Sequence, residues 1–139
     1  MASLETRLRN LATRLGTEFK AVRAELAAAL AARPRGVSSF CAGKPANSEI
    51  VISAIAPYGF TISQANSAAR AQAAATASTV FQLKRNGTNV CTFTFAAAGT
   101  IATVGSVTGG TVVAGDVLTI TAPASADTTC ADIAFLVRE

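Results

Sequence analysis

The chain has 139 residues, half of them apolar but only 6% aromatic, with three cysteines and neither histidine nor tryptophan. That length holds one ordinary core, or one helix and a small domain. Without histidine, a serine or cysteine nucleophile lacks its usual base. Cys41, Cys91 and Cys130 are far apart and form no CxxC pair, so a zinc site is excluded as well. The net charge of +4 sits entirely in residues 1–36, which hold seven basic and three acidic residues; residues 37–139 hold five of each. This fits a solvated helix surface, or one that docks on an acidic protein. No aromatic rings are interleaved with the arginines to stack on bases, so no nucleic acid is expected as a partner. The start of the chain has no continuous apolar core of a signal peptide, and no apolar run is long enough for membrane insertion. Free thiols, an odd number of them, fit folding in a reducing cytosol.

The first predicted element is a helix from Leu4 to about Ala32. Ser3 is its N-cap, with Glu5 in the first turn. Large apolar residues recur at Leu4, Leu8, Leu11, Leu15, Phe19, Val22, Leu26 and Leu30, in steps of three and four that only a helix brings to one face. Consecutive steps of four at Leu11–Leu15–Phe19 act as a stutter, so a nearly straight bundle is expected rather than a strongly supercoiled one. The helix spans roughly 45 Å and ends at Arg33-Pro34-Arg35-Gly36, where proline and glycine break it. A helix this long with few partners in its own chain points to self-association through those eight residues, in a coiled-coil-like bundle. The alanines at 27–29, 31 and 32 permit close approach.

Residues 36–48 read as a Ser/Gly/Pro/Asn linker, and residues 49–139 as an all-β domain. Ile50–Ile55 and Phe60–Ile62 are strand candidates around the Pro57–Gly59 turn, and the alanine-rich segment 64–78 reads as loop and weak strand. Thr79–Phe95 is a hairpin with Asn86-Gly87 at its tip. A three-residue turn with Gly87 as a bulge pairs Lys84 with Thr88, Phe81 with Cys91 and Thr79 with Phe93, and puts Phe81, Leu83, Cys91, Phe93 and Phe95 on one face. Thr100–Val104, Thr111–Val113, Val117–Thr121 and Ala131–Val137 follow, the last internal to a sheet. Turn signals every 8–12 residues without helical periods describe an antiparallel sandwich, jelly-roll-like, of roughly seven to nine strands. So few large side chains make a thin core that oligomerisation would help.

Chemistry has little to stand on. Glu49, Asp116, Asp127, Asp132 and Glu139 are the carboxylates outside the helix; Asp116 and Asp127 sit at turns, where Asp bonds its own backbone. No phosphate-binding glycine loop is present. No catalytic, metal or cofactor site is expected, and the chain reads as non-enzymatic. Tyr58, Lys44, Arg70 and Arg85 are the residues available for a carbohydrate-binding face, although one aromatic ring is a poor platform for a sugar.

The runs "ATASTVFQLKRNGTNVCTFTFAAAGT" and "VVAGDVLTITAPASADTTCADIAFLV" resemble the small β domains of tailed-bacteriophage virion proteins, namely fibre, spike and head- or tail-decoration components. The matching pattern is an NG hairpin at Asn86-Gly87, a strand from Ala114 to Pro123, and a terminal strand from Asp127 to Ile133. It covers about residues 40–138, and the segment "LETRLRNLATRLGTEFKAVRAELAAAL" is similar to short helices that precede such domains. The resemblance implies a structural virion protein assembled in the bacterial host cytoplasm, usually a homotrimer. Its helices attach to the particle's capsid, neck or tail proteins, or link that attachment to a projecting domain. The alternative function is a carbohydrate-binding module that recognises host surface glycans.

Overall fold

The computed structural model describes residues 3–31, 33 and 35–139, the side chain of Ala31 excepted. The chain divides into two units, Met1–Pro34 and Arg35–Glu139. The first is the helix α1, Leu4–Ala31. Ser3 caps it as expected: its hydroxyl accepts from the Thr6 amide at 3.2 Å, and its carbonyl accepts from Arg7 at 3.1 Å. Glu5 and Arg9 pair one turn apart at 2.6 Å.

The second unit is all antiparallel β, which agrees with the expected helix followed by a β-sandwich. Its strands are β1 (Gly36–Cys41), β2 (Ile50–Ile55), β3 (Phe60–Thr61), β4 (Ala68–Ala73), β5 (Thr79–Arg85), β6 (Thr88–Phe95), β7 (Ala102–Val104), β8 (Thr111–Val112), β9 (Val117–Thr121) and β10 (Ala131–Arg138). One sheet has the order β2-β9-β5-β6-β7, the other β1-β10-β4, and β3 and β8 make a small ribbon. Inward residues of the two larger sheets form one core. Phe135 of β10 locks them together. Its ring meets Phe81 of β5 edge-on at 5.5 Å and Phe93 of β6 at 5.4 Å, and Phe81 meets Phe95 at 5.9 Å. Such pairs contribute about 0.5–1.5 kcal/mol each beyond the area they bury. Around this cluster large side chains such as Ile52, Phe60, Ile62, Leu118, Ile120 and Ile133 share the core with small ones, with Ala56, Ala69, Ala71, Ala75, Ala122 and Ala131 all buried. The gap among Val37, Ile52, Leu83 and Phe135 is only about 10 Å³, at the lower limit for one water.

The hairpin corrects the expected register while keeping the expected face. Asn86 and Gly87 both have positive φ, 49° and 84°, so they form a two-residue turn that closes on Arg85 paired with Thr88. The bulge lies further along β6. Lys84 pairs with Asn89 and Leu83 with Cys91, leaving Val90 as the extra residue. The slip restores the parity that a plain two-residue turn would reverse. Phe81 therefore faces Phe93, Thr79 faces Phe95, and Phe81, Leu83, Cys91, Phe93 and Phe95 are all buried.

One further segment differs from expectation, and a second is more regular than expected. Residues 36–48, expected as a linker, open with β1, which pairs with β10 from Gly36–Arg138 to Cys41–Ile133. Within 64–78, Ala68–Ala73 is the regular strand β4, paired on the other side of β10. β10 thus has a partner on each side, internal to its sheet as its hydrophobic pattern required.

Candidate functional site

The feature of this chain most in need of a partner is the apolar face of α1. Leu4, Leu8, Leu11, Leu15, Phe19, Val22, Leu26 and Leu30 lie on one side of the helix, and each is at least half exposed in the single chain, Leu4 at 74% and Phe19 at 69%. Ordinary surfaces carry scattered apolar residues, not a continuous stripe. Burying the exposed half of each side chain is worth on the order of 1 kcal/mol, about 8 kcal/mol per chain before association costs. An isolated helix is marginal in water and takes its stability from such burial. The spacing adds a geometric constraint. The steps four-three-four run from Leu4 to Leu15 and repeat from Leu15 to Leu26, a period of eleven residues. Eleven residues in three turns is 3.67 per turn, which keeps a seam in register with a straight or slightly right-handed bundle.

The carboxylates of the β domain are all engaged with backbone amides. Asp127 is the clearest case. Its Oδ2 accepts from the Thr76 hydroxyl at 2.7 Å and from the amides of Thr76 and Ala77 at 2.9 and 3.0 Å. Its Oδ1 accepts from the amides of Thr129 and Cys130, both at 2.9 Å, and the Thr129 hydroxyl donates to Ala74 O at 2.8 Å. These donors, the Thr76 hydroxyl first, hold the Asp127 carboxyl well below the usual carboxylate range. They also saturate its lone pairs, leaving none for a cation. Asp127 therefore pins the β4–β5 connection to the segment before β10. It is more than a local turn-former.

Asp116 does the same for the hairpin tip. It accepts from Val113 N at 2.9 Å and Asn86 Nδ2 at 2.7 Å, while Asn86 Oδ1 accepts from Val117 N at 2.8 Å. The Val113 amide, then Asn86, lowers its pKa. Arg85 lies beside it and donates to Thr111 O. Asp132 accepts from Gly43 N at 2.8 Å, Glu139 from Arg35 N at 3.1 Å, and Glu49 from Ala46 N. Among the described residues no group of three His, Cys, Asp or Glu could hold a metal ion.

The cysteines are free, and Cys91 is a core residue as expected. Burial pushes the thiols of Cys91 and Cys130 up to about 11, and burial followed by Glu49 raises that of Cys41. All three are protonated near neutrality and poor nucleophiles.

The residues considered for a carbohydrate face are spread over different elements. Lys44 lies in the β1–β2 connection, Tyr58 in the turn after β2, Arg85 at the end of β5, and Arg70 on the outer face of β4. Arg85 is already engaged, and the depression that Arg70 lines, between Phe40 and Leu136, contains none of the other three. No helix of the described residues is long and apolar enough to cross a membrane.

No protein-family profile, curated protein or solved structure matches this chain.

Proposed function

We propose that this chain is a non-enzymatic structural protein of a tailed-bacteriophage particle, a homotrimeric fibre, spike or decoration module. In this reading α1 is the assembly or attachment device and the β domain is the projecting or covering part. The observation that carries it is the exposed stripe from Leu4 to Leu30, a surface that a solitary chain in water would not leave uncovered. A further observation supports it: the carboxylates of the β domain are spent on backbone amides. The assignment to a virion rests on the sequence pattern through the Asn86-Gly87 hairpin, Ala114–Pro123 and Asp127–Ile133. Peptide mass spectrometry of purified particles from a phage encoding the chain tests that assignment. Its peptides are expected at a copy number that is a multiple of three; their absence from intact particles would overturn the virion role.

A further inference from the structure

The connection from β4 into β5 and the segment before β10 together line an open depression of about 210 Å³. Thr76, Ser78 and Thr79 contribute to it from the first, and Ser125, Asp127 and Thr128 from the second. Each of these side chains except Asp127 carries a hydroxyl. The Asp127 carboxylate ties the two segments together, accepting from the amides of Thr76 and Ala77 in one and of Thr129 and Cys130 in the other. The depression is therefore set before any ligand arrives. Thr79, the first residue of β5, is the buried member of the lining at 3% exposure. Its Oγ1 is buried and has no hydrogen-bond partner, the one side-chain polar atom in that position among the described residues. A buried hydroxyl left unpaired is costly. Valine has the same β-branched shape and suits a strand equally well, so packing alone gives no reason for the hydroxyl.

We infer that this depression binds a neutral sugar ring, one hydroxyl of which pairs with Thr79 Oγ1. The inference is independent of the helix assembly. Charge narrows the ligand class. Among the described residues no Lys or Arg lines the depression, so an anion finds no counter-charge there. Asp127 is the only acid in the lining. Its lone pairs are taken by the amides and the Thr76 hydroxyl, so a metal cation finds no set of oxygen ligands. What remains suits a molecule whose own groups both donate and accept. Hydroxyls do both, as those of Ser and Thr do, and a sugar carries several on one small ring. The size agrees with this: the volume lies below the range of about 300–1,000 Å³ usual for drug-sized ligands, which suits one ring rather than an extended chain. No aromatic ring lines the depression, so affinity rests on hydrogen bonds and is expected in the millimolar range.

The test is a titration of the isotope-labelled full chain, followed by amide NMR shifts, with glucose, galactose, mannose and N-acetylglucosamine as separate probes. Sodium sulfate and calcium chloride are the charged controls. The expected result is saturable shifts at residues 76–79 and 125–128 with at least one sugar, and none there with either salt. Thr79→Val should weaken that binding about tenfold, the loss of one hydrogen bond. It should also melt no lower than the wild type, because the hydroxyl it removes has no partner. Thr79→Ser keeps the hydroxyl and should bind as the wild type does. No saturable shift at these residues from any of the sugars overturns the site. So does a saturable response there to sulfate or calcium alone, or a Thr79→Val protein that binds sugar unchanged. A Thr79→Val protein that melts lower than the wild type shows that an ordered water satisfies the hydroxyl within the fold, and overturns its role as a ligand group. None of these readouts depends on oligomeric state, so the helix assembly stands or falls separately.

Discussion

Asp127 shows how much one side chain can organise here. Its carboxylate joins two connections that are 50 residues apart in sequence, through the amides of Ala77, Thr129 and Cys130 and the amide and hydroxyl of Thr76. Because its pKa is lowered on folding, its contribution to stability is fully present above the unfolded carboxylate value of about 3.9 and is lost as pH falls toward the folded value. Thermal melts of the wild type should therefore lose stability progressively below about pH 4. Asp127→Asn should be less stable at neutral pH and show a shallower acid dependence; parallel pH profiles for the two proteins would contradict this. At the other extreme of burial, Leu83 is 1% exposed in the core. Leu83→Ala should cost about 2–5 kcal/mol, read from the denaturant midpoint. A loss below about 0.5 kcal/mol would be surface-like and would place Leu83 outside the core. The inward face of the hairpin was legible at this scale because Phe81, Leu83, Phe93 and Phe95 keep strict alternation. The role of Asp127 was not, because nothing in the local sequence Asp127-Thr128-Thr129 announces a partner as distant as Thr76.

At the level of elements, the helix was readable almost to the residue, since its cap and stripe agree with Leu4–Ala31; its expected end at Ala32 and terminator at Pro34 lie outside the described residues. Gly16 is its one weak position: it lies mid-helix, and a Cβ there would meet nothing within 4 Å in the single chain. Gly16→Ala should raise helix stability by about 1 kcal/mol, seen as a higher melting temperature of the helical circular-dichroism signal. No gain, or a loss, would mean that a neighbouring helix fills that space. Strands β1 and β4 were the hard elements. In β1 the inward positions are Val37, Ser39 and Cys41 while Phe40 points out, so no period of two is visible in its hydrophobicity. In β4 the buried residues are Ala69 and Ala71. Alanine favours helix in isolation, yet it serves here because β10 supplies both the hydrogen bonds and Phe135. Neither strand is specified locally; both are recruited by the strongly patterned β10 between them. The hairpin register failed for a similar reason. Asn86-Gly87 fixes the turn, but the bulge at Val90 depends on which side of β6 the core lies.

For the whole molecule, the helix stripe is the longest run of exposed apolar residues among the described residues of a single chain, while the carboxylates of the β domain accept from backbone amides. Leu15→Asp places a charge in the middle of the stripe and should dissociate the assembly while leaving the unfolding of the β domain unchanged, because Leu15 is exposed in the single chain. The most direct measurement is the solution mass of the full chain by light scattering, alongside Leu15→Asp. About three times the 14.0 kDa chain mass is expected for the wild type and a single-chain mass for the variant. A wild type that stays at single-chain mass across concentration, or a variant that keeps the full assembly, would contradict the claim that the helix is what brings the chains together.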